Sequence, residues 1–183
     1  NSDKISSFLS GNVNARIIWG GDETISKFKR FKTSPRCVDL YFSNRVSMAV
    51  INIEKLNKLS KNEMNNLALK FYNDSYIMDQ QGCSSPQAIF WVGSRKSNSM
   101  VFFWDNLNNV IKKKYKDDLS VLNKKIYSLS AFLINSNNSY KIDKTKFKTV
   151  RVAPNKISSE IEKFQCHYGS FLETKINNLN ELK

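Results

Sequence analysis

The sequence predicts an α/β fold, and three observations carry that prediction. Short apolar runs at Ala15–Trp19 (ARIIW) and at residues 37–42 (CVDLYF), 47–53 (SMAVINI) and 87–93 (QAIFWVG) have the length of buried strands. Other segments place apolar residues at helical spacing, most clearly Met64, Leu67, Ala68, Phe71 and Tyr72. Strands that alternate with helices belong to the class that layers helices on a largely parallel sheet. The 183 residues, 40% hydrophobic with twelve Phe, suffice for one good-sized domain, or a domain plus part of another.

In chain order, the run at Ala15–Trp19 is broken by Gly20-Gly21-Asp22. Ile25, Phe28 and Phe31 then share one side of a predicted helix over 23–31, with Asp22 suited to its N-cap. Strand, glycine turn and helix in succession let backbone N–H groups at a helix N-terminus hold a phosphate. A plain turn is the alternative, and Asp22 and Glu23 would repel an anion. Ser34-Pro35-Arg36 is a turn, and Ser43-Asn44-Arg45 joins the strands at 37–42 and 47–53. Ser60 and Glu63 have the spacing of a capping box. The helix they open runs on through Tyr72, with Ile77 closing its apolar face, and fades over 79–82 before the strand at 87–93. Two amphipathic helices follow, over 101–115 and 119–133, with Asp117 and Asp118 at the positive end of the second. Residues 135–140 form a loop, 147–152 alternate as a strand, and 170–175 form another.

The formal net charge is +13. Lysines on solvated faces explain it, as does a basic field for anions such as nucleic acid, a nucleotide cofactor or coenzyme A. The densest run, KKKYK at 112–116, lies on a predicted helix with an apolar opposite face, so a solvated face is expected rather than a nucleic-acid patch. No apolar run approaches the ~18 residues needed to cross a bilayer. Asn1-Ser2-Asp3-Lys4 opens no signal peptide, so the expected location is cytoplasmic. The three cysteines, Cys37, Cys83 and Cys166, are widely spaced and form no C-x-x-C. Reduced thiols are expected, with neither a disulfide framework nor a metal site.

Cys83 lies in MDQQGCSSPQAIFW, between a helix end and a strand start. A thiolate is a strong nucleophile and a good leaving group, and its thioester is activated toward hydride. Such a residue suits passing an acyl group between carriers or oxidation levels. A turn gives it partial exposure, and Gly82 allows close approach of a substrate. The backbone N–H groups of Cys83, Ser84 and Ser85 are candidate oxyanion donors. The alternative for each cysteine is a small buried hydrophobe. Cys37, in an apolar strand, is expected in the core. Cys166 adjoins His167, the only histidine, as a Cys–His pair or beside a cleft histidine.

ARIIWGGDETI, CVDLYFSNRVSMAVI and MDQQGCSSPQAIFW, in that order, resemble the LuxC-type fatty acyl-CoA reductases of the aldehyde dehydrogenase superfamily, which serve bacterial luminescence and related aldehyde supply. The resemblance covers residues 15–172 and is most specific around Cys83. It implies a three-layer α/β/α aldehyde-dehydrogenase-like catalytic domain with a remnant of a Rossmann-like cofactor domain. Residues 1–36 are then the C-terminal part of the cofactor domain, and 37–183 a catalytic domain truncated at its C-terminal end, so that the chain is expected to be a fragment. Gly20 and Gly21 stand where the superfamily has a Thr-Gly-Ser turn against the cofactor pyrophosphate. Leu40-Tyr41-Phe42-Ser43-Asn44-Arg45 replaces the Glu-Leu-Gly-Gly-Lys of hydrolytic dehydrogenases, so the base that activates water is missing. In CHYGSFLE, Tyr168 and Gly169 take the Phe-Gly places of the superfamily's Glu-x-Phe-Gly-Pro. Cys166 stands in the place of the ribose-binding glutamate, so that role is not transferred, and His167 is a candidate acid or base.

The resemblance further implies that Cys83 takes a long-chain acyl group from acyl-CoA or an acyl-protein thioester, through an oxyanion near the Cys83–Ser84 backbone. NADPH then reduces the acyl-cysteine to a fatty aldehyde. Implied partners are acyl-protein synthetase and acyl-transferase subunits and further copies of the chain, with no nucleic acid and no membrane span. The rival classes are a non-catalytic structural or interaction module, a nucleic-acid binder and an oxidative aldehyde dehydrogenase.

Overall fold

The computed structural model describes residues 2–43, 45–93, 98–116, 118–146, 148–157 and 162–182. They form two compact units, Asn1–Arg45 and Val46–Lys183.

The first unit contains α1 (Ser2–Gly11), β1 (Ala15–Trp19), α2 (Asp22–Lys29) and β2 (Val38–Phe42). β1 and β2 pair in parallel, Ala15 opposite Val38 and Trp19 opposite Phe42. On one face Arg16 and Ile18 are buried, together with Ile25 of α2. Arg16 donates from Nε and Nη2 to the two carboxylate oxygens of its cross-strand partner Asp39, at 2.7 and 2.5 Å, and from Nη1 to the Phe28 carbonyl at 3.1 Å. One guanidinium thus ties both strands to the end of α2. The other face, Ala15, Ile17, Trp19, Val38, Leu40 and Phe42, is exposed and apolar. Because the partner of β2 is β1, residues 38–42 fold with the first unit. The compact units therefore divide at 45/46, later than the 36/37 boundary expected from sequence.

The second unit contains β3 (Ser47–Asn52), α3 (Ile53–Leu56), α4 (Lys61–Tyr76), β4 (Pro86–Val92), α5 (Ser99–Lys114), α6 (Leu119–Asn135), β5 (Tyr140–Lys146), β6 (Thr149–Pro154), β7 (Ser170–Ile176) and a closing 3-10 turn (Leu179–Leu182). Its sheet has the order β3-β4-β7-β6-β5. The pairings are parallel except at the β5–β6 edge, which is antiparallel, so the sheet is mixed. β4 is nearly continuously apolar because both its faces are covered. Ile89 and Trp91 join Phe171 in a core closed by Met64, Ala68 and Phe71 of α4 and by Phe103, Trp104 and Leu107 of α5. Ala88 and Phe90 join Val152 and Leu172 in a second core, against which Leu129, Phe132 and Leu133 of α6 pack. Helices therefore lie on both faces of this sheet.

The α4 capping box forms: Glu63 N–H donates to Ser60 Oγ at 3.3 Å, and Ser60 N–H to Glu63 Oε2 at 2.8 Å. Asp118 caps α6 by accepting the Val121 N–H at 2.9 Å. Asp22 is the first residue of α2 and not its cap; Gly21 is the cap, in extended conformation. The strand expected at 147–152 runs from Thr149 to Pro154. Phe147, Asn44 and Asp117 lie outside the described residues. α1, α3 and β5 were not anticipated.

Candidate functional site

The chain passes from α4 to β4 through consecutive tight turns. The N–H groups of Asp79, Gln81 and Ser85 donate to the carbonyls of Tyr76, Met78 and Gly82, at 3.2, 2.8 and 2.9 Å. The last turn carries Cys83 and Ser84 at its tip, and the Cys83 thiol is free and exposed. Ser47 of β3 donates its hydroxyl to the Cys83 carbonyl at 2.7 Å, and the buried Ser85 donates to the Asp74 carbonyl at 2.6 Å. Among the described residues the N–H groups of Cys83 and Ser84 reach no protein acceptor. They are free for an oxyanion, whereas the Ser85 N–H, also expected to be a donor, is consumed by Gly82. An exposed thiol beside two unpaired N–H groups is suited to nucleophilic attack on a carbonyl.

A second turn, at residues 167–169, packs against this loop. Tyr168 N–H donates to the Asp79 carbonyl at 3.0 Å, and Gly169 N–H to Gln80 Oε1 at 2.9 Å. Gln80 is fully buried, and its Nε2 donates to the Pro86 and Ser170 carbonyls at 2.7 and 3.0 Å. The bond to Pro86 closes the base of the loop that carries Cys83. His167, half-buried, lies with Nδ1 2.9 Å from the Gln80 carbonyl oxygen and 3.1 Å from Gln87 Nε2. The structure thus joins the Cys83 loop and the His167 turn in one hydrogen-bonded frame.

Cys166 points elsewhere. It is buried, its thiol lies 3.7 Å from the Ser128 carbonyl, and burial pushes the thiol up to about 12. No Cys166–His167 pair forms among the described residues. Cys37 is half-buried, not core: it precedes β2, its N–H closes a turn onto Ser34, and its thiol lies 3.9 Å from Asp39.

Gly20 and Gly21 belong to the first unit. Gly20 donates its N–H to the Phe42 carbonyl at 3.2 Å, so it extends the strand pairing and is no phosphate donor. A methyl there would lie 2.9 Å from Cγ2 of the exposed Thr24 side chain, which would have to shift. Gly21 caps α2 without a side chain, leaving the first-turn N–H groups open among the described residues, although Asp22 and Glu23 occupy that turn. The two carboxylates of that turn oppose the approach of an anion.

Sequence reasoning missed Gln80 and Gln87 as site residues, and Glu173 as a buried hub. Glu173 Oε1 accepts the indole N–H groups of Trp91 and Trp104 at 2.8 and 3.1 Å, and Oε2 lies 3.4 Å from Arg151 Nη1. A polar residue inside or bordering an apolar strand was the available signal, because a buried polar group needs a partner. Residues 112–114 are exposed in the last turn of α5, where lysine suits the helix dipole. Among the described residues no cluster of three metal-ligating side chains occurs, and no helix is long and apolar enough to cross a membrane.

Comparison with known proteins adds a family and a fold. The family model described as acyl-CoA reductase (LuxC) matches residues 1–117. Curated protein sequences give no match. Betaine aldehyde dehydrogenase from Staphylococcus aureus, solved with NAD+, superposes with a TM-score of 0.62 at 14% identity, over 97% of this chain and 38% of its own. A putative methylmalonate-semialdehyde dehydrogenase from Sinorhizobium meliloti, complexed with NAD, gives 0.62 at 10% identity, over 99% of this chain and 40% of its own. An NADP dependent enzyme of E. coli gives 0.61 at 8% identity, over 97% and 39%. The chain therefore has the fold of part of an aldehyde dehydrogenase, spanning 38% to 40% of the length of these structures.

Proposed function

Since the chain belongs to the acyl-CoA reductase (LuxC) family, we propose that it accepts a long-chain acyl group on Cys83 and releases it, reduced, as a fatty aldehyde. The observation that carries the proposal is the exposed Cys83 thiol at the tip of a turn whose Cys83 and Ser84 N–H groups are unpaired among the described residues.

The Cys83 thiolate attacks the thioester carbonyl of acyl-CoA or an acyl-protein, and a new C–S bond forms. The carbonyl oxygen takes the electron pair and is held by the Cys83 and Ser84 N–H groups. When the carbonyl re-forms, the bond to the donor's sulfur breaks. The departing thiolate takes a proton equivalent to the one Cys83 gave up, and His167 carries it. NADPH, when bound, supplies the hydride that turns the acyl thioester into an aldehyde. During that step the same two N–H groups hold the oxygen, and Cys83 leaves as thiolate. The absence of a carboxylate from residues 40–45 supports reduction over hydrolysis, because nothing there activates water.

The open N-terminus of α2 behind Gly21 is the proposed seat for one cofactor phosphate, with Gly20 giving the turn its clearance. The first unit is proposed as the C-terminal part of a cofactor domain and the second as the three-layer catalytic domain. Acyl-protein synthetase and acyl-transferase subunits are the proposed acyl sources, further copies of the chain proposed neighbours, and the cytoplasm the proposed location. The alternative reading is a non-catalytic structural or interaction module.

Discharge of the acyl group decides between them. Protein pre-loaded with acyl groups and freed of donor is expected to release aldehyde, trapped as its hydrazone, when NADPH is added. An acyl-protein that NADPH leaves intact would contradict the reductive step for this chain.

A further inference from the structure

The geometry points to Gln80 and Gln87 as positioning residues that hold His167 in one tautomer, with the proton on Nδ1 and the lone pair of Nε2 left open for the proton transfer proposed for this residue. The inference rests on the acyl-cysteine proposal only for its catalytic consequence.

The Gln80 carbonyl oxygen can only accept. It lies 2.9 Å from His167 Nδ1 and 2.9 Å from Gln87 Nε2. An unprotonated ring nitrogen at that distance would set lone pair against lone pair, so Nδ1 carries the hydrogen. Turning the Gln87 amide over would bring its oxygen against the Gln80 carbonyl and its NH2 against the His167 N–H, which now faces Gln87 Oε1 at 3.4 Å. Two donors therefore converge on one carbonyl with two lone pairs. The 3.1 Å approach of Gln87 Nε2 to Nδ1 is contact between those donors. A neutral imidazole with Nδ1 protonated exposes a lone pair on Nε2, and Nε2 has no protein partner among the described residues.

The frame is rigid for two reasons. Gln80 and Gln87 are 0% and 3% exposed, so water does not compete for the shared carbonyl. Asp79, Gln80, His167 and Tyr168 all have φ between 50° and 60°. Residues other than glycine avoid that region, and persist there only when their surroundings over-determine them. Here the surroundings are the bonds from Tyr168 N–H to Asp79 and from Gly169 N–H to Gln80. The titratable neighbours on the frame are Asp79, whose carboxylate takes the Tyr115 hydroxyl at 2.6 Å, and Tyr168, whose oxygen lies 3.5 Å from Gln81 Nε2. Neither bonds to the ring.

As His167 is the only histidine, protein labelled with 15N-histidine reports on this ring alone. In a long-range 1H–15N correlation of the neutral ring, Nδ1 is expected as the protonated nitrogen. A predominant Nε2–H form, or the tautomer mixture of free imidazole, would overturn the inference. Gln87→Glu sets a carboxylate beside Nδ1–H and is expected to shift the Nδ1 resonance while the hydrogen stays on that nitrogen; an unmoved resonance would overturn the contact. A wild-type chain that fails to acylate at all would count against the acyl-cysteine proposal, while the tautomer measurement would still decide this one.

Discussion

Gly169 has φ +76°, and a methyl group there would lie 2.5 Å from the Lys148 carbonyl oxygen and 2.6 Å from the Tyr76 hydroxyl. Gly169→Ala is therefore expected to destabilise the second unit by about 3 kcal/mol or more in urea unfolding. A loss under ~1 kcal/mol would contradict the close packing of Gly169 on Lys148 and Tyr76. The cysteines give a second expectation at this scale. Iodoacetamide near neutral pH should modify exposed Cys83 first and half-buried Cys37 more slowly. It should reach buried Cys166, whose thiol is held protonated up to about 12, only after unfolding. Peptide mass mapping reads the order, and label on Cys166 in the folded chain would contradict its burial. The turn that carries Cys83 was legible in the sequence because its surroundings, Gly82 to Pro86, are local. Gln80 and Gln87 were not, because the group that gives them a role, His167, lies at least 80 residues away along the chain. Cys37 was misread because the apolar letters beside it conceal the polar row of β2, where Asp39 stands.

Among elements, α4 and β4 were the most readable. α4 carries its own start signal, and Ser60→Ala is expected to cost about 1 kcal/mol of stability in chemical denaturation, with no change in the fold. An unchanged midpoint would mean that the helix is held by its packing alone. β5 was hidden because Lys141 and Asp143 interrupt its alternation at a sheet edge. α1 was not anticipated, although Ile5, Phe8 and Leu9 stand at helical spacing, and all three are exposed. The β1–β2 pair has a pH dependence that follows from one carboxylate. Hydrogen bonding to Arg16, then to Tyr41, lowers Asp39 from its ordinary 3.8 to about 2. A carboxyl depressed in the folded state stabilises above its unfolded value, and that contribution is lost as pH falls through the folded one. The first unit should therefore weaken between about pH 4 and pH 2. Asp39→Asn should be weaker at neutral pH and lack that dependence. Amide exchange in β1 measures both, and an acid response that survives Asp39→Asn would assign it to another group.

On the scale of the whole molecule, the chain is two units of unequal support. The second closes a core on each sheet face, whereas the first rests on two strands with one apolar face open. Two-stranded sheets are marginal by themselves, so the first unit is expected to unfold at lower urea. Tryptophans separate the two transitions: Trp19 is 72% exposed, while Trp91 and Trp104 are 0% and 2% exposed. Iodide should quench Trp19 alone in the native chain, and Trp19→Phe should abolish the early transition in fluorescence while circular dichroism still records it. A single transition by both probes would mean that the units unfold together. The α/β class was readable at this scale because strand and helix periods are local. The division at 45/46 was not, because the parallel pairing of β2 with β1 skips a whole helix.

The claim on which the functional account stands is that Cys83 carries the acyl group. The direct measurement is incubation of the folded chain with radiolabelled long-chain acyl-CoA, followed by digestion and peptide mass mapping, with Cys83→Ser, Cys37→Ser and Cys166→Ser in parallel. The account predicts label on the peptide containing Cys83, lost in Cys83→Ser and kept in the other two. Label that survives Cys83→Ser, or a folded wild-type chain that takes no label, would contradict it.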